Sequence, residues 1–169
     1  HIDGYCVGEP WNSEAILAGD GWCPATSSDL SHGHPEKVLL ISGKFLRERK
    51  EQSTALVAAL LDSCKLCQNP EFRNDMVSIL AMKEYTGASE QVLRNSLGRQ
   101  FNTGSGSTNA STFHVFHGEG VNRPTVEKAS WVLAGLRAIG ILPDITCGSL
   151  SRIYREDLFH AATLCSQGA

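Results

Sequence analysis

The sequence predicts an α/β fold that is rich in helix and poor in strand. Val38–Ser42 (Val-Leu-Leu-Ile-Ser) sets four apolar residues in a row, the mark of a strand buried on both faces. Several longer stretches repeat apolar residues at helical spacing between residues that start and stop helices. The composition, 41% hydrophobic and 20% charged over 169 residues, is that of a globular chain able to bury a core. A single compact domain over 1–169 is the expectation at this length.

Each element has a local reason. Ile2–Val7 is a short apolar run rich in β-formers, stopped by Gly8, and reads as a strand. Pro10 is tolerated as a first helical residue, and Trp11–Ala18 runs helically until Gly19 and Gly21. Residues 20–36 read as irregular, and Val38–Ser42 follows as the buried strand. Lys44–Glu51 mixes both charge signs and reads as a solvated helix face. Ser53 is placed to cap a long helix, Ser53–Cys67, with Leu56, Val57, Leu60, Leu61 and Cys64 on one face. Asn69-Pro70 breaks it, and Pro70 opens the next helix with Phe72, Met76, Ile79 and Leu80 as its stripe. Ser89 caps a shorter one through Val92, Leu93 and Leu97. Gly104–Ser111 reads as a flexible polar loop, and Thr112–Phe116 as a strand or a buried loop. Pro124–Ile139 is a helix ending at Gly140, with Trp131, Leu133, Leu136 and Ile139 apolar, and a last helix covers Glu156–Leu164. So few strands beside so many helices suggest a sheet that continues in chain beyond this piece.

Charge and cysteine content narrow the classes. Fifteen Lys+Arg against 18 Asp+Glu give a net charge of −3, which argues against a nucleic-acid binder that works by neutralising phosphates. The longest nearly uninterrupted apolar stretch, Thr54–Leu61, is far short of the roughly 20 residues of a membrane span. The chain starts His1-Ile2-Asp3, without Met or a signal peptide, as expected of part of a longer protein. Six cysteines (6, 23, 64, 67, 147, 165) in a chain of this size read as free thiols of a reducing compartment.

Several motifs carry possible chemistry. Cys64-Lys65-Leu66-Cys67 is a lone CxxC at a helix C-terminus, whereas zinc needs about four ligands and thioredoxin-type thiols use a helix N-terminus. A metal or redox enzyme using this pair with His32, His34, His114 or His117 is the alternative from another class. The pairs His32-Gly33-His34 and His114-Val115-Phe116-His117 read more simply as loop or core histidines. Asp3–Asn12 is more informative: an apolar strand brings two glycines and a helix N-terminus to one place, where backbone N–H groups and the helix dipole suit a small anion.

Those residues also carry a resemblance. Gly4-Tyr5-Cys6-Val7-Gly8-Glu9-Pro10-Trp11-Asn12 is similar to the signature of the nitrate- and bicarbonate-binding proteins of ABC transporters and of their soluble nitrate-sensing relatives. The likeness continues in His34–Leu39, in the Leu56–Cys67 helix with Asn69–Arg73, in Phe116–Pro124 and in Tyr154–Phe159. It covers nearly the whole chain, but only the C-terminal part of a family whose fold is two-lobed and of the type II periplasmic-binding-protein kind.

The resemblance implies ligand binding without catalysis or cofactor. A small oxyanion, nitrate or nitrite, would sit in the family's cleft, held partly by residues outside this chain. From this chain the family pattern implies a backbone contact at Gly8, within the Gly8-Glu9-Pro10-Trp11 turn, and an ammonium at Lys37. Glu9 and Trp11 complete the candidate ligand-binding set. Bicarbonate-binding members are thought to carry an acid at the Lys37 position, so Lys37 favours nitrate. Two roles follow from the resemblance. One is the exported or lipid-anchored component that serves an ABC permease. The other, favoured by the cysteines and by Asn122-Arg123-Pro124, is a cytoplasmic nitrate sensor that holds an RNA-binding antitermination regulator.

Overall fold

The structure is a computed structural model of the chain and describes residues 2–109, 113–142 and 150–166. Its contacts sort into two compact units: 1–32 with 66–116, and 33–65 with 117–169.

In the first unit, α1 (Trp11–Ala18) has the predicted bounds and ends on Gly19, whose positive φ of 81° lets its amide close onto the Ala15 and Ile16 carbonyls. A single turn, α2 (Ser27–Leu30), interrupts the stretch expected to be irregular. Asp29 creates it by accepting from the Thr26 amide at 2.7 Å and the Thr26 hydroxyl at 2.8 Å. Asn69 caps a short 3₁₀ turn, Pro70–Phe72, which leads into α5 (Arg73–Leu80). Ser89 caps α6 (Glu90–Leu97) by accepting from the Val92 amide, as predicted. These helices close on a core of Met76, Val77, Ala88, Val92, Leu93 and Leu97, with Leu17, Phe72 and Phe116 at its margin. A smaller cluster joins Ile16 to Phe101, which is only 1% exposed. Burying each such side chain contributes about 1.5–3 kcal/mol.

The sheet lies in this unit and was not foreseen. β1 (Gln100–Asn102) pairs antiparallel with β2 (Ser107–Asn109), Phe101 opposite Thr108. Thr103 N–H donates to the Gly106 carbonyl at 2.8 Å, which leaves Gly104-Ser105 as a two-residue turn, and Gly104 takes the positive φ (83°) that such turns require. The expected flexible loop Gly104–Ser111 is therefore a hairpin tip and strand as far as Asn109, and its last two residues lie outside the described residues. Of Thr112–Phe116, residues 113–116 are irregular and Thr112 is likewise outside.

The second unit is helical. Ser42 caps α3 (Gly43–Glu48) by accepting from the Phe45 amide at 3.1 Å. The next helix, α4 (Lys50–Gln68), starts earlier than predicted and runs on into the first unit. Ser53 is not its cap: it is fully buried and its hydroxyl donates to the carbonyl of Arg49, just before the helix, a bond that satisfies it. Thr125 caps α7 (Val126–Ala138), and α8 (Leu150–Ile153) and α9 (Glu156–Ser166) follow. The buried side chains of these helices are mostly small: Ala58, Ala129, Ala162 and Leu150.

Two expected strands do not form. Ile2–Val7 and Val38–Ser42 carry no ladder among the described residues, and Val38, Leu39 and Leu40 are exposed, Leu40 at 84%. A strand exists only by its partner's hydrogen bonds, and the described residues offer neither segment one. The expected helical stripes are also less covered than predicted, since Leu56, Leu60, Trp131 and Ile139 are all exposed.

Candidate functional site

The Gly8–Trp11 turn belongs to the first unit. The Trp11 amide donates to the Gly8 carbonyl at 3.3 Å, and the Glu14 amide reaches the Pro10 carbonyl at 3.0 Å, which starts α1. Asn12 ties the turn back to the Val7 carbonyl through its side-chain amide at 2.5 Å. Gly8 is exposed, its φ is not positive, and a Cβ added there would meet nothing within 4 Å. Neither backbone strain nor packing therefore demands glycine at this position.

Glu9 and Trp11 take different roles within the turn. The Glu9 carboxylate faces inward and accepts from the buried Ser13 hydroxyl at 2.7 Å, while its other oxygen is buried with no hydrogen-bond partner among the described residues. Ser13 in turn accepts from the Asn95 side-chain amide at 3.1 Å. Asn95 grips Asn102 twice, accepting from its N–H at 2.8 Å and donating to its carbonyl at 3.3 Å. Glu9 is thus the end of a polar strut that runs α1–α6–β1, and an anion would be repelled by it. Trp11 leaves its ring half exposed beside the turn. The strut was missed because Ser13 and Asn95 are ordinary polar residues in sequence. Their position on the inward faces of α1 and α6 was the available signal.

Lys37 belongs to the second unit. Its side chain is 76% exposed, and its Nζ lies 3.1 Å from Glu36 Oε1 in a surface pair that contributes little energy and does not fix the ammonium. The segment around it has no regular secondary structure. It leaves a turn at Gly33 (φ 70°), and its first residue, His34, sets its ring against Trp131 of α7, centroids 5.8 Å apart.

The remaining motifs are built into the structure. Cys64 and Cys67 lie on the last turns of α4, and Cys6, Cys23, Cys64 and Cys165 are free thiols; Cys147 is outside the described residues. Burial pushes the Cys64 thiol upward, against a smaller opposing effect of its hydrogen bond with the Asn122 side chain. The described residues hold no cluster of three or more His, Cys, Asp or Glu able to take a metal. His114 packs among Phe113 and Phe116, and His117 Nδ1 lies 3.3 Å from Asn122 Oδ1. Sequence reasoning also missed Lys128, whose ammonium donates to the carbonyls of Gly120 (2.5 Å), Val121 (2.7 Å) and Arg123 (2.9 Å). Partial burial pulls its pKa below the usual lysine value.

The structure superposes on the periplasmic nitrate-binding protein of Synechocystis with a TM-score of 0.90 over 97% of this chain and 44% of that one, at 22% identity. This chain carries part of a periplasmic-binding-protein fold. The profile of the NMT1-like family matches residues 1–81. The chain is 26% identical over 165 residues to the nitrate/nitrite binding protein of Synechococcus elongatus, covering 95% of this chain and 37% of that protein. It is 34% identical over 165 residues to the nitrate import ATP-binding protein of the same organism, covering 25% of it. No Gly-x-x-x-x-Gly-Lys-Ser/Thr phosphate loop occurs here, so that likeness falls on a stretch without this nucleotide motif. The resemblance read from Gly4–Asn12 is sustained: the chain is similar to the nitrate-binding type of transporter protein. It spans between a quarter and under half of these relatives. The few strands among the described residues now have a reason, since most of the related fold lies outside the part matched.

Proposed function

We propose that the protein containing this chain binds nitrate or nitrite as a solute-binding component of an ABC-transport system, with the Gly8 amide and the Lys37 ammonium as donors from this chain. The observation that supports it most is likeness, over 95% or more of the chain, to proteins that are named for nitrate binding or import. The chemistry agrees. Nitrate offers three acceptor oxygens and one negative charge, and ammonium and backbone N–H groups are their complements. Gly8 supports the reading because an exposed glycine that the fold does not require lets a ligand approach the backbone closely. In this reading the binding site faces the periplasm and an ABC permease is the partner.

A second reading, the cytoplasmic nitrate sensor that releases an RNA-binding antitermination regulator, is favoured by one observation: the free thiols of Cys6, Cys23, Cys64 and Cys165, which a reducing compartment preserves. Calorimetry with nitrate on the complete protein, wild type and Lys37→Glu, tests the binding common to both. Loss of most of the affinity in the variant is expected, because like charge then faces the ligand. Unchanged binding removes Lys37 from the site. Recovery of the protein from periplasmic or cytoplasmic fractions separates the two roles.

A further inference from the structure

We infer that Trp131 of α7 is a positioning residue for Lys37, acting through the ring of His34. The inference rests on the reading of Lys37 as an anion donor and deepens it. A lysine that is 76% exposed and, among the described residues, paired only with its neighbour Glu36 has little of its own to hold its ammonium at a ligand. Its backbone must do so, and that backbone lies in an irregular segment without a ladder among the described residues. The segment is fixed at its start. Gly33 turns the chain with φ 70°, a conformation that side chains resist. His34 then lays its ring on Trp131, 5.8 Å between centroids and 39° between planes, and Pro35 locks the next φ. From that anchor Lys37 is three residues away, a tether of about 10 Å at full extension.

Trp131 is otherwise hard to account for. It is the largest apolar side chain on α7 and yet 48% exposed, while the fully buried residue of that helix is Ala129 and Val132, Leu133 and Leu136 are half-buried. The ring serves as a platform rather than as core. A His–Trp contact of this kind confers orientation more than stability, and a site held loosely by about 1 Å loses much of its affinity.

A double-mutant cycle with inorganic nitrate on the complete protein tests this. Trp131→Ala and His34→Ala are each expected to weaken binding about ten-fold with no loss of fold by circular dichroism, and the pair together no more than either alone. Trp131→Phe restores binding to within about three-fold, because the ring contact survives. In a Lys37→Ala background, Trp131→Ala has no further effect. If Trp131→Ala binds nitrate as the wild type does while Lys37→Ala does not, the positioning role is wrong and the Lys37 site stands. An equal penalty for Trp131→Ala with and without Lys37 overturns it too, since the effect then does not pass through the lysine. If Lys37→Ala itself binds normally, both readings fall. Should Trp131→Ala not fold, His34→Gln replaces it in the same cycle.

Discussion

Replacing Lys128 with Met should loosen the 118–125 loop without unfolding the protein. The lysine ammonium holds three carbonyls, at Gly120, Val121 and Arg123, within 2.5–2.9 Å. A hydrogen bond to a charged group contributes about 1.5–3 kcal/mol net, so a simple sum for three would be excessive. The contacts to Gly120 and Arg123 are exposed, and water takes those carbonyls when the ammonium leaves. The Val121 carbonyl is partly buried and loses the most. About 2 kcal/mol is therefore the expected local cost, which is about a thirty-fold rise in hydrogen exchange at amides of the loop. The Val121 and Thr125 amides, bonded to the Gly118 and Arg123 carbonyls, report it directly. Met keeps the apolar stem, so packing on α7 is preserved and the change isolates the charge. An increase below about three-fold at both amides, under about 0.65 kcal/mol, would refute the idea that the carbonyls need the ammonium.

Other perturbations have signs that the structure dictates. Gly8→Ala should leave the unfolding midpoint of the complete protein unchanged, because a Cβ there meets nothing, while nitrate affinity by calorimetry drops about ten-fold; a large loss of stability would show that the glycine serves the fold. Gly104→Ala should do the opposite. Its Cβ would come within 2.8 Å of the Gly21 carbonyl at a backbone φ of +83°, and a loss of about 2 kcal/mol or more in urea unfolding is expected, with no loss being the refuting result. The Asp157 carboxyl, held down to about 2 by the bidentate Arg155 guanidinium, should titrate well below its ordinary 3.8 in a carbon-detected NMR titration. Its contribution to stability is present above the unfolded value and is lost as pH falls through the folded one, so Arg155→Gln should remove that acid-range dependence.

What was legible in the sequence was local. Pro10 and Gly19 bound α1 residue by residue, and Ser89 caps α6 through its own hydroxyl, because these signals act within four positions. Ser53 misled for a related reason. Serine is as suited to bonding a carbonyl within a helix as to capping one, and Ser42, eleven residues earlier, already starts the helical stretch. The hairpin was visible in principle: Gly104-Ser105 is a two-residue turn signal, hidden by its likeness to a linker and by flanks with a single β-former each, Phe101 and Thr108. Val38–Ser42 could not be settled from this sequence, since four apolar residues in a row report a preference for burial while a ladder depends on what lies beside them. For the site, the Gly4–Asn12 signature was specific enough to show which proteins this chain is similar to. It could not show that Glu9 turns inward to Ser13, because Asn95, which completes that strut, lies 82 residues beyond Ser13.

The grip of Asn95 on Asn102 also bears on how the small sheet avoids growing. In a two-stranded antiparallel pair whose turn bond joins Thr103 and Gly106, the backbone of Asn102 faces away from β2. Those outward N–H and carbonyl groups are what an incoming strand would recruit. The Asn95 carboxamide occupies both, standing in for one residue of a third strand without being one. A side chain from α6 thereby blunts the edge of β1 at the point nearest the turn, a protection that in other proteins falls to charged or proline residues. Asparagine suits this task because one planar group presents a donor and an acceptor side by side; aspartate would supply only half, and leave the Asn102 carbonyl open to a neighbouring chain.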